Sequence, residues 1–208
     1  TLKSVHKLLH SAFEQAVLWE YVGRNPFHKA VLPKTKATSS VFLSTEQIQL
    51  LLHHCSVSWL RLAIELSFVC TLRRGELLAL TWDDINWEQN SLQISKTLCR
   101  VSKDAMLMLE GRDVLHVFPT KAHSKTVLVL KSPKTESSNR IVYLPPSLKC
   151  SLLEWQNEQK KSAIGELPRL IFAYEDNWPL QSGVLTKHFQ GLLTKCNLPK
   201  VTFHSLRH

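Results

Sequence analysis

The stretch "LRRGELLALTWDDIN", residues 72–86, decides the fold. It follows an apolar run over residues 59–70, which predicts a buried helix, and we expect that helix to continue through "RRGELLAL" before a turn-rich "TWDDINWEQN". Arg73, Arg74 and Glu76 would then stand at the end of a buried element. Because the preceding helix is apolar enough to be buried, at least one arginine is expected near a helix junction inside the fold. A guanidinium buried there needs an anion. The alternative is that both arginines are solvated and that Glu76 pairs with one of them.

Helical periodicity lies on both sides of this stretch. Residues 2–17 carry apolar side chains at three- and four-residue steps, which predicts an amphipathic helix. No capping residue precedes that helix, so we expect that the chain was cut from a longer one. Ser44 and Gln47 predict a capping box at the start of another helix. Two later helices are expected, over residues 145–161 and from Ser182 onward.

Three short segments, "SLQI", "TVLVL" and "RIVYLP", are β-branched or alternating and are separated by Ser, Lys, Asn and Pro. This texture is typical of a small antiparallel sheet that interrupts a helical protein. The fold class predicted is therefore mainly α with a small antiparallel β-sheet, that is, α+β.

Residues 23–44 form the most linker-like part of the chain, because Gly23, Pro26 and Pro33 break helical continuity. We place a domain boundary here, between residues 1–33 and residues 42–208. The charge of the linker comes from three lysines: Lys29, Lys34 and Lys36.

The composition favours a protein that binds a polyanion in a reducing compartment. Lys and Arg number 26 against 17 Asp and Glu, a net charge of +9, which suits nucleic acid or an acidic membrane. No apolar run reaches the ~18 residues that a membrane-spanning helix needs, and no signal peptide is evident. The 5 cysteines are odd in number, scattered and without a CxxC pair. A cytoplasmic protein is expected.

The stretch "SPKTESSNRIVYLP", which begins at Ser132, predicts a β-hairpin whose turn carries Lys134 and whose second strand begins near Arg140. A hairpin tip can place a lysine over a bound backbone phosphate. The alternative is an exposed polar turn in which the lysine serves solubility.

The chain ends with "HSLRH", in which His204 and Arg207 share one face of an expected helix. His204 and His208, four residues apart, could hold zinc. We disfavour that possibility because no acidic or cysteine ligand lies nearby and Arg207 would repel a dication. No metal and no other cofactor is expected.

The order of these motifs resembles that of the tyrosine recombinases, the phage and transposon integrase family. An Arg-x-x-Glu at a helix junction is followed by a lysine on a hairpin and then by His-x-x-Arg. The resemblance covers nearly the whole chain, since "GRNPF" is similar to the end of the family's core-binding domain and "VFLSTEQIQLLL" to the start of its catalytic domain. It implies that residues 1–33 are the last part of a helical, DNA-binding domain and that residues 42–208 are a truncated catalytic domain.

The resemblance also implies roles for individual residues. Arg73 and Arg207 would grip the scissile phosphate, His204 would hydrogen-bond to it, and Glu76 would orient the cluster. Lys134 would be the general acid. These residue types suit the chemistry, because negative charge accumulates on the nonbridging oxygens, guanidinium groups match that geometry, and the leaving 5′-oxygen needs a proton.

The implied partner is double-stranded DNA, on which the full-length family assembles as a tetramer; this chain is expected to be monomeric in solution. Residues 102–125 are longer than a hairpin connection requires, and we expect an added sheet element that contacts DNA or a neighbouring protomer rather than the core. Further DNA contacts are expected from basic residues outside the catalytic group: Lys29, Lys34, Lys36, Arg74 and Arg140.

Two departures from the family pattern stand out. The family usually has Thr-Gly before its Leu-Arg, whereas Cys70 and Thr71 stand here, so Arg73 is expected to be displaced slightly. The family breaks and rejoins DNA through a 3′-phosphotyrosine formed by a tyrosine well after the His-x-x-Arg motif. Here we expect an inactive fragment without that nucleophile, because all its tyrosines precede the motif: Tyr21, Tyr143 and Tyr174.

Two other functions compete with a recombinase. A catalytically dead relic or regulator that occupies recombination sites would have the same basic surface, so the residues do not separate it from the enzyme. A metal-dependent nuclease is disfavoured because no cluster of carboxylates accompanies the histidines.

Overall fold

The computed structural model describes residues 2–33, 41–108, 110–120, 123–133, 139–162, 169–176 and 178–207. The chain divides into two compact units, Thr1–Ser40 and Val41–His208. The elements, in chain order, are α1 Leu2–Leu18, a 3₁₀ helix Pro26–Lys29, α2 Thr45–His54, α3 Ser58–Val69, α4 Arg74–Leu78, a 3₁₀ helix Trp82–Asp84, β1 Ile85–Asn86, β2 Ser91–Ile94, β3 Thr97–Ser102, α5 Lys103–Met108, β4 Val114–Phe118, β5 Thr126–Lys131, β6 Arg140–Tyr143, α6 Pro146–Ser162, α7 Ser182–Lys195 and a 3₁₀ helix Phe203–Arg207.

The first unit consists of α1 and the 3₁₀ helix that folds back on it. Asn25 caps this 3₁₀ helix, since its Oδ1 accepts a hydrogen bond from the backbone N–H of Phe27 at 2.9 Å, and Pro26 occupies the first helical position. The buried Asn25 amide also donates to the carbonyl of His10 at 3.0 Å. The ring of Phe27 packs on Phe13 of α1, with centroids 5.3 Å apart.

The second unit is built on helices that the apolar periodicity predicts. The capping box at α2 is confirmed, because Gln47 N–H donates to Ser44 Oγ at 3.3 Å and Ser44 N–H donates to Gln47 Oε1 at 2.9 Å. Half of the side chains of α3 are buried, and α7 buries Leu185 and Phe189. The expectation that α3 runs on through "RRGELLAL" is wrong, because α3 ends at Val69 and a new short helix starts at Arg74.

The predicted antiparallel strands form, but as two three-stranded sheets rather than one, ordered β1-β2-β6 and β3-β5-β4. The predicted hairpin across residues 132–145 is wrong, since β5 and β6 belong to different sheets. Strand β6 instead pairs with β2, with Val142 opposite Leu92. Lys134, the residue expected at the hairpin tip, lies outside the described residues. A pairing partner far away in sequence decided the strand order here.

Residues 102–125 supply strand β4, which adds an outer strand to β3-β5, so the expected sheet element is present. Residues 103–108 of this segment form helix α5 rather than a strand. The segment also reaches the core, contrary to expectation, because Phe118 is 9% exposed and belongs to the main apolar cluster. Leu107, Met108 and Leu115 are exposed.

Among the described residues, no helix combines the length and the apolar character that crossing a membrane requires. All five cysteines carry thiols rather than disulfides. Burial raises the pKa of the Cys70 thiol to about 11, so that sulfur stays protonated and serves as core packing.

Candidate functional site

The four residues between α3 and α4 form a tight turn. It positions the Thr71 carbonyl, which binds Arg207, and the Arg73 backbone N–H, which binds Glu76. Thr71 has a φ of 50°, the left-handed region that a β-branched residue rarely adopts. Arg73 is the N-cap of α4, and its backbone N–H donates to Glu76 Oε2 at 2.9 Å. This hydrogen bond satisfies one of the free N–H groups at the helix start and turns the carboxylate back toward the turn.

Helix α4 packs directly on strand β3, and Gly75 makes that approach possible. A Cβ at Gly75 would stand 2.5 Å from Thr97 Oγ1 and 3.2 Å from the carbonyl oxygen of Leu98. The absence of a side chain therefore sets how closely the helix that carries Glu76 approaches the sheet.

Glu76 lies at the centre of a cluster of guanidinium groups. Its Oε1 is 2.7 Å from Nη1 of Arg73, and its Oε2 is 2.9 Å from Nη2 of Arg140. The Glu76 side chain is only 8% exposed, whereas Arg73 is 53% exposed and Arg140 27%. One buried carboxylate thus holds two guanidinium groups that extend toward solvent.

Arg207 joins this cluster from the last 3₁₀ helix, in which Phe203 and Leu206 are buried and anchor the segment. Its Nε donates to the carbonyl oxygen of Thr71 at 2.7 Å. Burial lowers the pKa of Arg207, and the nearby charges of Arg73 and Arg140 lower it further while Glu76 raises it. These four charged groups therefore share one local field.

The cluster carries an excess of positive charge. Burial alone would raise the pKa of Glu76, but hydrogen bonds from Arg140 and from the backbone and side chain of Arg73 outweigh it and lower that pKa. The carboxylate is therefore ionised, and one negative charge faces three guanidinium groups, since Arg207 is a third. Such an arrangement can bind an anion that offers several oxygens, such as a phosphate diester.

The structure brings Arg73, Glu76 and Arg207 together. His204 lies in the same 3₁₀ helix as Arg207 and is exposed; residues three apart eclipse in a 3₁₀ helix, so the two side chains leave the same side. Arg74 is turned to Thr186 on α7, at 3.3 Å from its Oγ1. The remaining predicted residues are Lys29, in the first unit, and Lys34, Lys36 and Lys134, outside the described residues.

The sequence reasoning missed the contact between Arg140 and Glu76. Arg140 was expected only as a DNA contact after a turn, yet it is the second partner of the buried carboxylate. The signal lies in the alternation of β6, where Arg140 and Val142 are half-buried while Ile141 and Tyr143 are exposed. Alternate residues share a face of a strand, so Arg140 points the same way as the core-packed Val142.

A second charged group, also missed, supports the turn after α4. Asp84 Oδ2 accepts from the backbone N–H and the hydroxyl of Thr81 at 2.8 and 2.7 Å, and Asp84 Oδ1 is 2.7 Å from Lys96 Nζ. Asp84 is 8% exposed, so this pair is largely shielded from water. The Asp84–Lys96 ion pair ties the loop between β2 and β3 to the end of the stretch at residues 72–86.

Sequence comparison assigns the second unit to a family. Residues 41–208 match the model of the Phage integrase family, and the chain belongs to that family of tyrosine recombinases and integrases. The whole chain is 26% identical to a XerC-like tyrosine recombinase of Caldanaerobacter subterraneus subsp. tengcongensis, of which it covers 53%. It is 26% identical to the integrase of Escherichia phage HK022 over 65% of this chain and 41% of that protein. The chain thus spans about half the length of the curated relatives it matches.

Solved structures of integrases share the fold. The Tn1549 transposon integrase in complex with a circular intermediate DNA superposes over 100% of this chain and 64% of that one, with a TM-score of 0.77 and 20% identity. A lambda integrase tetramer bound to a Holliday junction superposes over 99% of this chain and 51% of that one, with a TM-score of 0.60 and 19% identity. The predicted α+β class and the predicted family are confirmed.

Proposed function

We propose that this chain is the phosphate-gripping part of a site-specific DNA recombinase that acts through a 3′-phosphotyrosine. The observation that carries the proposal is that the buried carboxylate of Glu76 holds Arg73 and Arg140 and that Arg207 lies close enough to interact electrostatically with all three. Family membership supplies the reaction, and this cluster supplies the group that would hold the scissile phosphate.

Arg73 and Arg207 would bind the nonbridging oxygens, on which negative charge builds as the phosphorus is attacked. His204 would donate a hydrogen bond to the same phosphate, and Lys134 would protonate the leaving 5′-oxygen. Glu76 would act through the arginines, because its two oxygens fix the directions of Arg73 and, beyond the original expectation, of Arg140. Fixed donors need no reorganisation when charge develops on the substrate.

The partner would be double-stranded DNA, and assembly on it would be a tetramer in the full-length protein. Arg74 and Arg140 in the second unit and Lys29, Lys34 and Lys36 in the first would add backbone contacts. Under this proposal residues 1–33 are the end of a core-binding domain, residues 42–208 belong to the catalytic domain, and the protein works in the cytoplasm.

The 208-residue polypeptide is expected to bind DNA without becoming attached to it. Covalent catalysis needs an oxygen in line with the phosphorus, and each tyrosine of this chain precedes the His204 and Arg207 motif. Incubation with a nicked suicide duplex should leave no denaturant-resistant protein–DNA band. If such a band forms, replacing Tyr21, Tyr143 and Tyr174 by Phe one at a time would identify the nucleophile.

The phosphate grip is tested by titrating a labelled mixed-sequence duplex with wild-type protein, Arg73→Ala and Arg207→Ala at two salt concentrations. Each variant should bind about ten-fold or more weakly and show a shallower salt dependence, because a protein with one arginine fewer displaces fewer counterions from the DNA. Arg169→Ala is the matched control. The side chain of that arginine is 84% exposed and forms an ion pair with the exposed Asp83 at 3.1 Å, so its loss should change affinity less.

Three results would oppose the proposal. Salt-independent affinity would show that phosphate contacts do not dominate. Equal losses in Arg169→Ala and in the two cluster variants would show that only overall charge matters. If the chain binds DNA but no DNA cleavage is detected even when a segment with a tyrosine is added after the His204 and Arg207 motif, a regulator that occupies recombination sites is favoured.

A further inference from the structure

A second cluster of ionisable side chains lies in the first unit and takes no part in the function proposed above. His10 and Glu14 are one turn apart on α1, and His28 comes from the 3₁₀ helix that folds back on it. Nε2 of His28 is 2.5 Å from Glu14 Oε1, and Nε2 of His10 is 3.9 Å from the same oxygen. Their potential ligand atoms all lie within 4.8 Å of one another.

The surroundings hold these three side chains in place. The buried amide of Asn25 donates both to Glu14 Oε1 and to the carbonyl of His10, at 2.5 and 3.0 Å. The ring of His6 lies 5.9 Å from that of His10, and the His10 and His28 rings are 5.1 Å apart. The rotamers of the cluster are thus restrained by a capping residue and by ring packing, which is how metal ligands are usually oriented from outside.

The chemistry of the set suits a cation. Neutral imidazoles expose a nitrogen lone pair, and the carboxylate supplies the negative charge that a divalent ion needs. In the part of the chain that the structure describes, no arginine or lysine forms an ion pair with Glu14, in contrast to Glu76.

We propose that His10, Glu14 and His28 form a zinc site that clamps the 3₁₀ helix Pro26–Lys29 to α1. Two histidines and one carboxylate supply three ligands, and water supplies the fourth. Ligand atoms around tetrahedral zinc stand roughly 3.3 Å apart. The His28–Glu14 separation of 2.5 Å must therefore lengthen and the His10–Glu14 separation of 3.9 Å must shorten. Both changes require only small rotations of partly exposed side chains.

This site is distinct from the zinc pair that His204 and His208 could suggest. The site could not be predicted from the sequence, because Glu14 and His28 are 14 positions apart and no motif marks that spacing. Zinc here would be structural, and its presence or absence leaves the proposed phosphate chemistry of Arg73 and Arg207 unchanged.

The test uses the whole 208-residue chain, freed of metal by a chelator and then titrated with Co²⁺ and Zn²⁺. Cobalt should develop the visible absorption of a tetrahedral nitrogen–oxygen site at one equivalent, and zinc should displace it. His28→Asn and Glu14→Gln should each weaken zinc binding, measured by calorimetry, about ten-fold or more. Because the His28 side chain is 59% exposed, its replacement should leave the fold intact, which circular dichroism verifies.

The matched control replaces another pair of neighbouring histidines, His53 and His54 at the end of α2, whose rings are 5.2 Å apart. The double variant His53→Asn/His54→Asn should bind zinc as the wild type does. The proposal is overturned if wild-type protein binds no zinc, if His28→Asn binds as tightly as wild type, or if the double variant alone loses binding.

Discussion

Glu76 and Glu14 are each the centre of a cluster of basic side chains, yet the two clusters have opposite chemistry. Glu76 is 8% exposed, is held by backbone as well as side chains, and faces arginines. Glu14 is 43% exposed, is held by side chains alone, and faces histidines. Arginine is always charged, so the first cluster keeps surplus positive charge and attracts anions. Imidazole is mostly neutral near pH 7, so the second cluster can accept a cation.

The comparison shows that the partners of a carboxylate, and its depth, decide what the site binds. A buried glutamate between guanidinium groups positions those groups to bind an anion. A partly exposed glutamate between imidazoles is itself a ligand.

Glu76→Gln should lower the free energy of unfolding by about 3 kcal/mol, because it leaves two guanidinium groups facing each other without their buried counter-charge. Glu14→Gln is the control and should cost clearly less, since its ion pairs are partly exposed to solvent. Urea unfolding followed by tryptophan fluorescence, in the presence of chelator, measures both. Equal losses would remove the distinction between a buried and an exposed centre.

Gly75→Ala should destabilise the second unit by about 2 kcal/mol, because the new methyl group overlaps Thr97 and the Leu98 carbonyl of β3. The shift of α4 should also weaken DNA binding, since Arg73 and Glu76 move with it. Gly191→Ala on α7 is the matched control. Apart from the adjoining backbone of α7, no atom lies within 4 Å of its added Cβ, so that variant should be neutral or stabilising by up to about 1 kcal/mol.

Thr71→Gly should raise the free energy of unfolding by about 1 kcal/mol, because glycine relieves the left-handed conformation at φ 50°. The hydrogen bond that Arg207 makes is to the backbone carbonyl, so it survives the change. Asn197→Gly, at φ 53°, is the control; asparagine tolerates this region, so the gain there should be only a few tenths of a kcal/mol. A destabilised Thr71→Gly would mean that the threonine side chain matters more than the strain.

The smallest expected effect is a dependence of stability on pH that belongs to Glu76. Its pKa is lower in the folded chain than the unfolded value of about 4.3, so its contribution is complete above that value and is lost as the pH falls through the folded pKa. Burial opposes the arginines, so the lowered pKa is the net result of two opposing effects. The urea midpoint of wild type should therefore drop more than that of Glu76→Gln on acidification, and high salt should not abolish the difference. Identical pH profiles would contradict an ionised, buried Glu76.

Several elements could be predicted because their determinants lie close together along the chain. The capping box of Ser44 and Gln47 and the stripe that buries Leu185 and Phe189 depend on spacings of three and four residues. The Arg-x-x-Glu and His-x-x-Arg pairs are likewise local, and their order sufficed to predict the family. The contact of Arg140 with Glu76 joins residues 64 apart in sequence, and it was missed.

The sequence by itself determined the helices, the strand-forming segments, the positive charge and the motifs of an integrase. Only the tertiary structure decided that β6 pairs with β2, that the chain turns through a left-handed Thr71, that Arg140 pairs with Glu76, and that Arg207 hydrogen-bonds to the Thr71 carbonyl beside them. It also decided that His28 returns to Glu14. The physical reason is that helix periodicity and capping are set by neighbours within one or two turns. Strand partners and buried charge clusters depend on which distant surfaces pack together, and no local pattern encodes that.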